Sequence, residues 1–260
     1  MTPLQAVRKH REMATAVLAG AALAWWWTVE RMAGMDAGPG TGLGTVGWFT
    51  LSWAVMMAAM MLPSFAPTLA AYLTLGRDHG PIRPLLFACG YLLAWTAAGV
   101  AAYAVFELGK GLIGSELAWH RGGRWLSGGV IAVAAAYELI PLKRACLTRC
   151  RGGLGQPRTA SRQRLPAALT VGVRSGGWCI GCSWALMAAL FALGVMSLTW
   201  MALIAALVAV EKIGPWPRGA RLASAAVLAV LAATIIAAPH ELPGLVVPGA
   251  GGMHAINAMG

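Results

Sequence analysis

The chain has 260 residues, 58% of them hydrophobic and only 11% charged, with a mean hydropathy of +0.67 and a net charge of +11. So few charges cannot cover the apolar surface of a water-soluble domain of this length, which excludes that class. The basic residues flank apolar runs without the aromatic interleaving that binds bases, which excludes a nucleic-acid partner.

A spanning helix needs about 20 apolar residues. On that criterion seven spans are expected in chain order, at 13–29, 48–73, 85–106, 125–142, 178–196, 198–213 and 222–238. The fold class is all-α, a polytopic transmembrane bundle forming a single domain over 1–260. The first span follows Arg8, Lys9 and Arg11 but ends in Trp25-Trp26-Trp27 with no small-residue cleavage site, so it reads as a retained anchor. Pro63 and Pro67 interrupt the second span and predict a kink or break there. The sixth is short and follows the fifth after Ser197 alone, so six spans with one re-entrant segment is the alternative count. The segment 143–177 reads as a basic cytoplasmic loop and 239–260 as a flexible tail.

With the N-terminus inside and seven spans, sixteen of the 20 lysines and arginines fall on the inner side. Only Arg31, Lys110, Arg121 and Arg124 fall outside. The positive-inside rule therefore predicts an inner-membrane, multi-pass protein with the C-terminus outside.

Four of the five cysteines form two tight pairs, Cys146-x3-Cys150 and Cys179-x2-Cys182. Both are expected at the cytoplasmic edge, where structural disulfides are rare. Cys179 and Cys182 are expected in the first turn of the fifth span, where the helix dipole favours thiolate. Four thiolates suit a soft metal, and C-x-x-C alone also permits a redox pair. Met56-Met57-x-x-Met60-Met61 sets two thioether ridges on adjacent helix faces, with Met57 and Met61 forming one of them. Thioethers are soft ligands that favour Cu(I), and also ordinary core filler. Glu138 and Glu211 lie within spans; each reads as an ion-pair member, Glu138 with Lys143 or Glu211 with Lys212, or as a carboxylate ligand or proton relay. Cys89, beside Gly90, reads as a small buried packing residue. Gly172-x3-Gly176 and Gly177-x3-Gly181 permit a second backbone to approach the cysteine pair. The five histidines are scattered without paired spacing.

Three ordered blocks carry a family resemblance. They are Trp53-Ala54-Val55-Met56-Met57-Ala58-Ala59-Met60-Met61-Leu62-Pro63-Ser64, then Tyr137-Glu138-Leu139-Ile140-Pro141-Leu142-Lys143 with Cys146 and Cys150, then Cys179-Ile180-Gly181-Cys182-Ser183-Trp184 with Glu211-Lys212. Together, over roughly 48–215, the chain resembles a bacterial family of predicted metal-binding integral membrane proteins of unknown function. That resemblance implies a metal-binding role. The family commonly doubles the cysteine where this chain has Ser183, so a five-sulfur scheme does not carry over.

The leading expectation is a soft-metal site, copper ahead of zinc, formed by Cys146, Cys150, Cys179 and Cys182 with Glu138, Met57 and Met61. Its role would be metal handling or assembly of another membrane protein, with the bilayer and another membrane protein or a metallochaperone as partners. The alternatives are a membrane thiol–disulfide oxidoreductase using Cys179 and Cys182, and a small transporter or structural subunit of a complex.

Overall fold

The computed structural model describes residues 11–32, 44–74, 82–113, 123–152, 165–194 and 197–237. Among them are eight α-helices and no strand: α1 (Arg11–Met32), α2 (Val46–Thr74), α3 (Ile82–Ile113), α4 (Arg124–Leu139), α5 (Pro141–Gly152), α6 (Leu165–Leu193), α7 (Leu198–Ile213) and α8 (Pro217–Ala237). The histidines and the tail beyond residue 237 lie outside the described residues.

Four helices, α2, α3, α6 and α8, are long and apolar enough to cross a membrane; a fifth span results if the bent pair α4–α5 counts as one. The other two expected spans fall short of that standard. Helix α1 carries Arg11, Glu12, Glu30 and Arg31 at its ends, and α7 has only 16 residues. Large apolar side chains face outward on several helices, among them Leu23, Trp26, Val105 and Val230. Such broad apolar exposure suits contact with lipid rather than water.

Three departures from the sequence expectation matter for the site. Helix α2 runs unbroken through Pro63 and Pro67. Proline is tolerated in apolar helices that pack against neighbouring helices, and Ser64, beside Pro63, turns its Oγ back to donate to the Met61 carbonyl at 2.9 Å. The expected break is therefore absent from this helix. Second, α6 begins at Leu165, well before residue 178. Gly172 and Gly176 are packing surfaces against α3, the close backbone approach that their spacing permits. A side chain at Gly172 would overlap the Phe87 carbonyl, and one at Gly90 the Leu169 carbonyl. The backbones of α3 and α6 cross in direct contact, and packing outweighs the intrinsic helix penalty of glycine. Third, Cys89 is exposed on α3, not buried.

The α4–α5 bend is local chemistry. Ile140 is extended (φ −69°, ψ 142°), as the residue before a proline prefers, and Pro141 opens the next helix. The resulting 68° turn lays α5 against α6. The core among α2, α3, α6 and α7 holds Met56, Met57, Met60, Met61, Phe65, Phe87, Tyr91, Trp95, Leu186, Leu190 and Met201.

Candidate metal centre

Cys179 and Cys182 are three residues apart on α6, so helical periodicity puts both sulfurs on one face. The bend at Ile140 brings Cys150 of α5 onto that face. The three Sγ atoms lie within 4.8 Å of one another. All five cysteines are free thiols. Cys179 and Cys182 are buried and Cys150 is half-buried.

Three helices complete the cup. Lys212, near the end of α7, donates from Nζ to Cys179 Sγ at 2.8 Å and to Ser64 Oγ of α2 at 3.3 Å, and approaches Met61 Sδ at 3.7 Å. Tyr91 of α3 shares a 2.9 Å hydrogen bond with Cys179 Sγ. The α3–α6 glycine crossing makes this possible: a Cβ at Gly176 would stand 2.9 Å from the Tyr91 carbonyl. Ser183 Oγ donates to the Cys179 carbonyl at 2.7 Å and sits 3.9 Å from its sulfur. Cys182 Sγ donates to the same carbonyl at 3.2 Å.

Helix α5 is held in place from both sides. Arg151 donates to the Glu211 and Gly214 carbonyls at 2.5 and 2.6 Å, tying the Cys150 helix to the end of the Lys212 helix. Thr68 Oγ1 donates to the Cys150 carbonyl at 3.4 Å, and Arg149 lies 4.4 Å over the Trp178 ring. Tyr137 donates to the Gly181 carbonyl at 2.6 Å, bracing α4 against the cysteine turn.

The residues singled out in sequence distribute unevenly around this centre. Cys146 packs with Leu147 and Cys182 in a small buried cluster but lies outside the three-sulfur group. A Cβ at Gly181 would stand only 3.1 Å from its sulfur, so this glycine makes room for Cys146. Met61 borders the centre through Lys212, while Met57 lies one turn away in the main core. Glu138 is ion-paired with Lys143, which also pairs with Glu211 at 2.7 Å, all three groups being buried. The Glu138–Lys143 pair is thus present, and Glu211 shares Lys143 while Lys212 turns to sulfur. Cys179 sits four turns into α6, so the expected helix-dipole support for its thiolate is absent. The counter-charge comes from Lys212 instead.

The donor set fits a soft ion. Metal–sulfur bonds of about 2.3 Å in a three-coordinate site place sulfurs about 4 Å apart, so closing from 4.8 Å needs only a small adjustment. Cys182 must turn from the Cys179 carbonyl to join. Three thiols, with no histidine or carboxylate in the group, suit a soft ion better than a hard one.

The family model of PpoB2, described as a copper chaperone, matches residues 50–236. The chain belongs to the PpoB2 copper chaperone family. No curated protein and no solved structure matches it. The PpoB2 match spans α2 to nearly the end of α8 and includes every residue of the cup, from Ser64 to Lys212. It excludes α1.

Lys212, Tyr91 and Ser64 are the centre's members that the sequence did not single out as site residues. Ser64 and Lys212 stand inside the blocks that carried the resemblance. Tyr91 had no local signal, since only the α3–α6 crossing places it on sulfur.

Proposed function

We propose that this protein binds Cu(I) as cargo through Cys150, Cys179 and Cys182 and passes it to another membrane protein. The observation that carries the reading is the convergence of three free sulfurs on a buried, lysine-compensated cup; membership of the copper chaperone family points the same way. Copper is favoured over zinc because the cup offers three thiols, whereas structural zinc almost always takes four ligands.

Exposure suggests the order of transfer. Cys150 is the half-buried sulfur and meets an incoming donor first. Cys179 and Cys182 then take the ion inward by ligand exchange, and the Lys212 ammonium shifts toward Ser64 and Met61 while its charge stays beside the thiolates. Cys146, Met57 and Met61 are auxiliary soft groups within about a turn of the cup. Glu138 acts at a distance, fixing Lys143 and through it Glu211 beside Lys212. Burial of Cys179 and Cys182 disfavours the oxidoreductase alternative, because attack on a protein disulfide needs an accessible thiolate.

In the membrane we assign seven spans with the N-terminus inside and the C-terminus outside. Helices α1 and α7 join the apolar set, and the exposed arginines Arg144, Arg149, Arg174 and Arg218 mark the inner side. Full-length protein purified under reducing conditions is expected to bind one Cu(I) per chain and to retain it against zinc. Absence of copper at that stoichiometry, or unchanged binding after Cys150→Ser and Cys179→Ser together, would sink the reading. Reporter fusions at the two termini test the topology; signals from the same side of the membrane would overturn it.

A further inference from the structure

Beside the cysteine cup lies a second feature with different chemistry. A cavity of about 310 Å³ opens between α5 and the start of α8, lined by Arg144, Arg151, Arg218 and Arg221 with Leu147 and Pro217 as apolar wall. Among the described residues, no acidic one lines it. Its volume falls at the lower end of the roughly 300–1,000 Å³ typical of small-ligand sites.

Four guanidinium groups around one cavity repel each other. The fold adds to the repulsion rather than relieving it: α8 starts Pro217-Arg218-Gly219-Ala220-Arg221, and its first turn carries no acid. A helix N-terminus bears partial positive charge, so arginines there are disfavoured unless an anion joins them. Arg221 Nη1 is buried without a hydrogen-bond partner among the described residues. Arg151, by contrast, is committed to the Glu211 and Gly214 carbonyls. The cavity therefore has unused donors, a dipole and net positive charge converging on one volume.

We propose that this cavity is a binding site for a phosphate oxyanion, supplied by the headgroup of an anionic phospholipid or by a soluble phosphate compound. Guanidinium groups match phosphate geometry through paired N–H donors, and basic pockets between membrane helices on the inner side are suited to anionic headgroups. Leu147 and Pro217 offer a surface for the carbon framework beside the phosphate. The site also touches the cup. Leu147 packs against Cys146 and Cys182, and Arg151 follows Cys150 directly. An occupied cavity would therefore hold α5, and with it Cys150, against α7 and α8. The phosphate chemistry does not depend on the copper reading; a lipid source does depend on the membrane reading.

The test uses the full-length protein, delipidated in neutral detergent and titrated by native mass spectrometry with short-chain phosphatidylglycerol, short-chain phosphatidylcholine or inorganic phosphate. The variant is Arg144→Gln with Arg218→Gln, both exposed and neither tied to the backbone contacts that hold α5. An equal-charge control is Arg11→Gln with Arg174→Gln, both exposed and outside the cavity lining. Phosphatidylglycerol is expected to bind more tightly than phosphatidylcholine and to lose about 30-fold in the cavity variant, but little in the control. Saturable inorganic phosphate binding with the same variant dependence, and no lipid preference, supports a soluble source. Equal binding of both lipids without phosphate binding overturns the proposal, as does equal loss in variant and control. Copper stoichiometry is measured on the same samples; if the double variant loses it, Arg218→Gln alone replaces it. A chain that binds phosphatidylglycerol but no copper leaves this site standing and removes the cargo assignment.

Discussion

Replacing Lys212 by methionine tests the electrostatics of the sulfur cup most directly. Its ammonium lies 2.8 Å from Cys179 Sγ, 3.3 Å from Ser64 Oγ and 3.7 Å from Met61 Sδ. Two effects oppose each other when a metal arrives. The ammonium occupies a sulfur lone pair, a charge-assisted hydrogen bond worth about 1.5–3 kcal/mol that binding must disrupt. It also offsets the negative charge of a copper–thiolate centre. At a separation of about 4 Å and an effective dielectric of about 20, that attraction is about 4 kcal/mol. Ser64 and Met61 let the ammonium leave the lone pair without leaving the site, so the attraction outlasts the lost bond. The difference of about 1–2.5 kcal/mol means that Lys212→Met binds Cu(I) roughly 5- to 70-fold more weakly. Ser64→Ala keeps the charge and removes one alternative acceptor, and is expected to change affinity less. Competition against a chromogenic Cu(I) chelator under reducing conditions reads both. Copper binding by Lys212→Met that equals or exceeds the parent would refute the reasoning, since competition for sulfur would then outweigh charge compensation.

Single Cys150→Ser, Cys179→Ser and Cys182→Ser variants are each expected to lower Cu(I) affinity by more than Cys146→Ser, because Cys146 lies outside the convergent group; the same chelator assay ranks them. Lys143→Met leaves Glu138 and Glu211 buried without their shared cation. Removing one partner of a buried ion cluster costs about 3–5 kcal/mol, read as a lower midpoint in detergent thermal unfolding. Adding Glu138→Gln and Glu211→Gln to it is expected to restore part of the loss. Gly172→Ala drives a methyl into the Phe87 carbonyl. It is expected to destabilise by about 1–3 kcal/mol and to weaken copper binding as Tyr91 withdraws from Cys179.

The all-α class and the positions of most helices were legible because spans announce themselves by long apolar runs. The short helix after Ser197 appears with the bounds its sequence suggests. Where reading failed, a local rule met a tertiary one. Pro63 and Pro67 break helices in water but not in this packed apolar bundle. Residues 165–177 read as the end of a basic loop, yet they form the first turns of α6, where Gly172 and Gly176 give the close approach to α3 that their spacing permits. That longer helix moved Cys179 out of the first turn and removed the dipole argument for its thiolate.

The cysteine spacing by itself determined which sulfurs share a helix face, since thiol pairs one helical turn apart do so in any helix. It also determined that Cys179 and Cys182 lie together on one face of α6. Only the tertiary structure decided that Cys150 joins them while Cys146 stands behind, because a 68° bend before Pro141 sets how α5 crosses α6. It likewise decided that Lys212 faces sulfur rather than its neighbour Glu211, which Lys143 already holds. Spacing along a chain specifies which side chains share a helix face. Which charge meets which sulfur depends on how helices cross, and no local pattern encodes that.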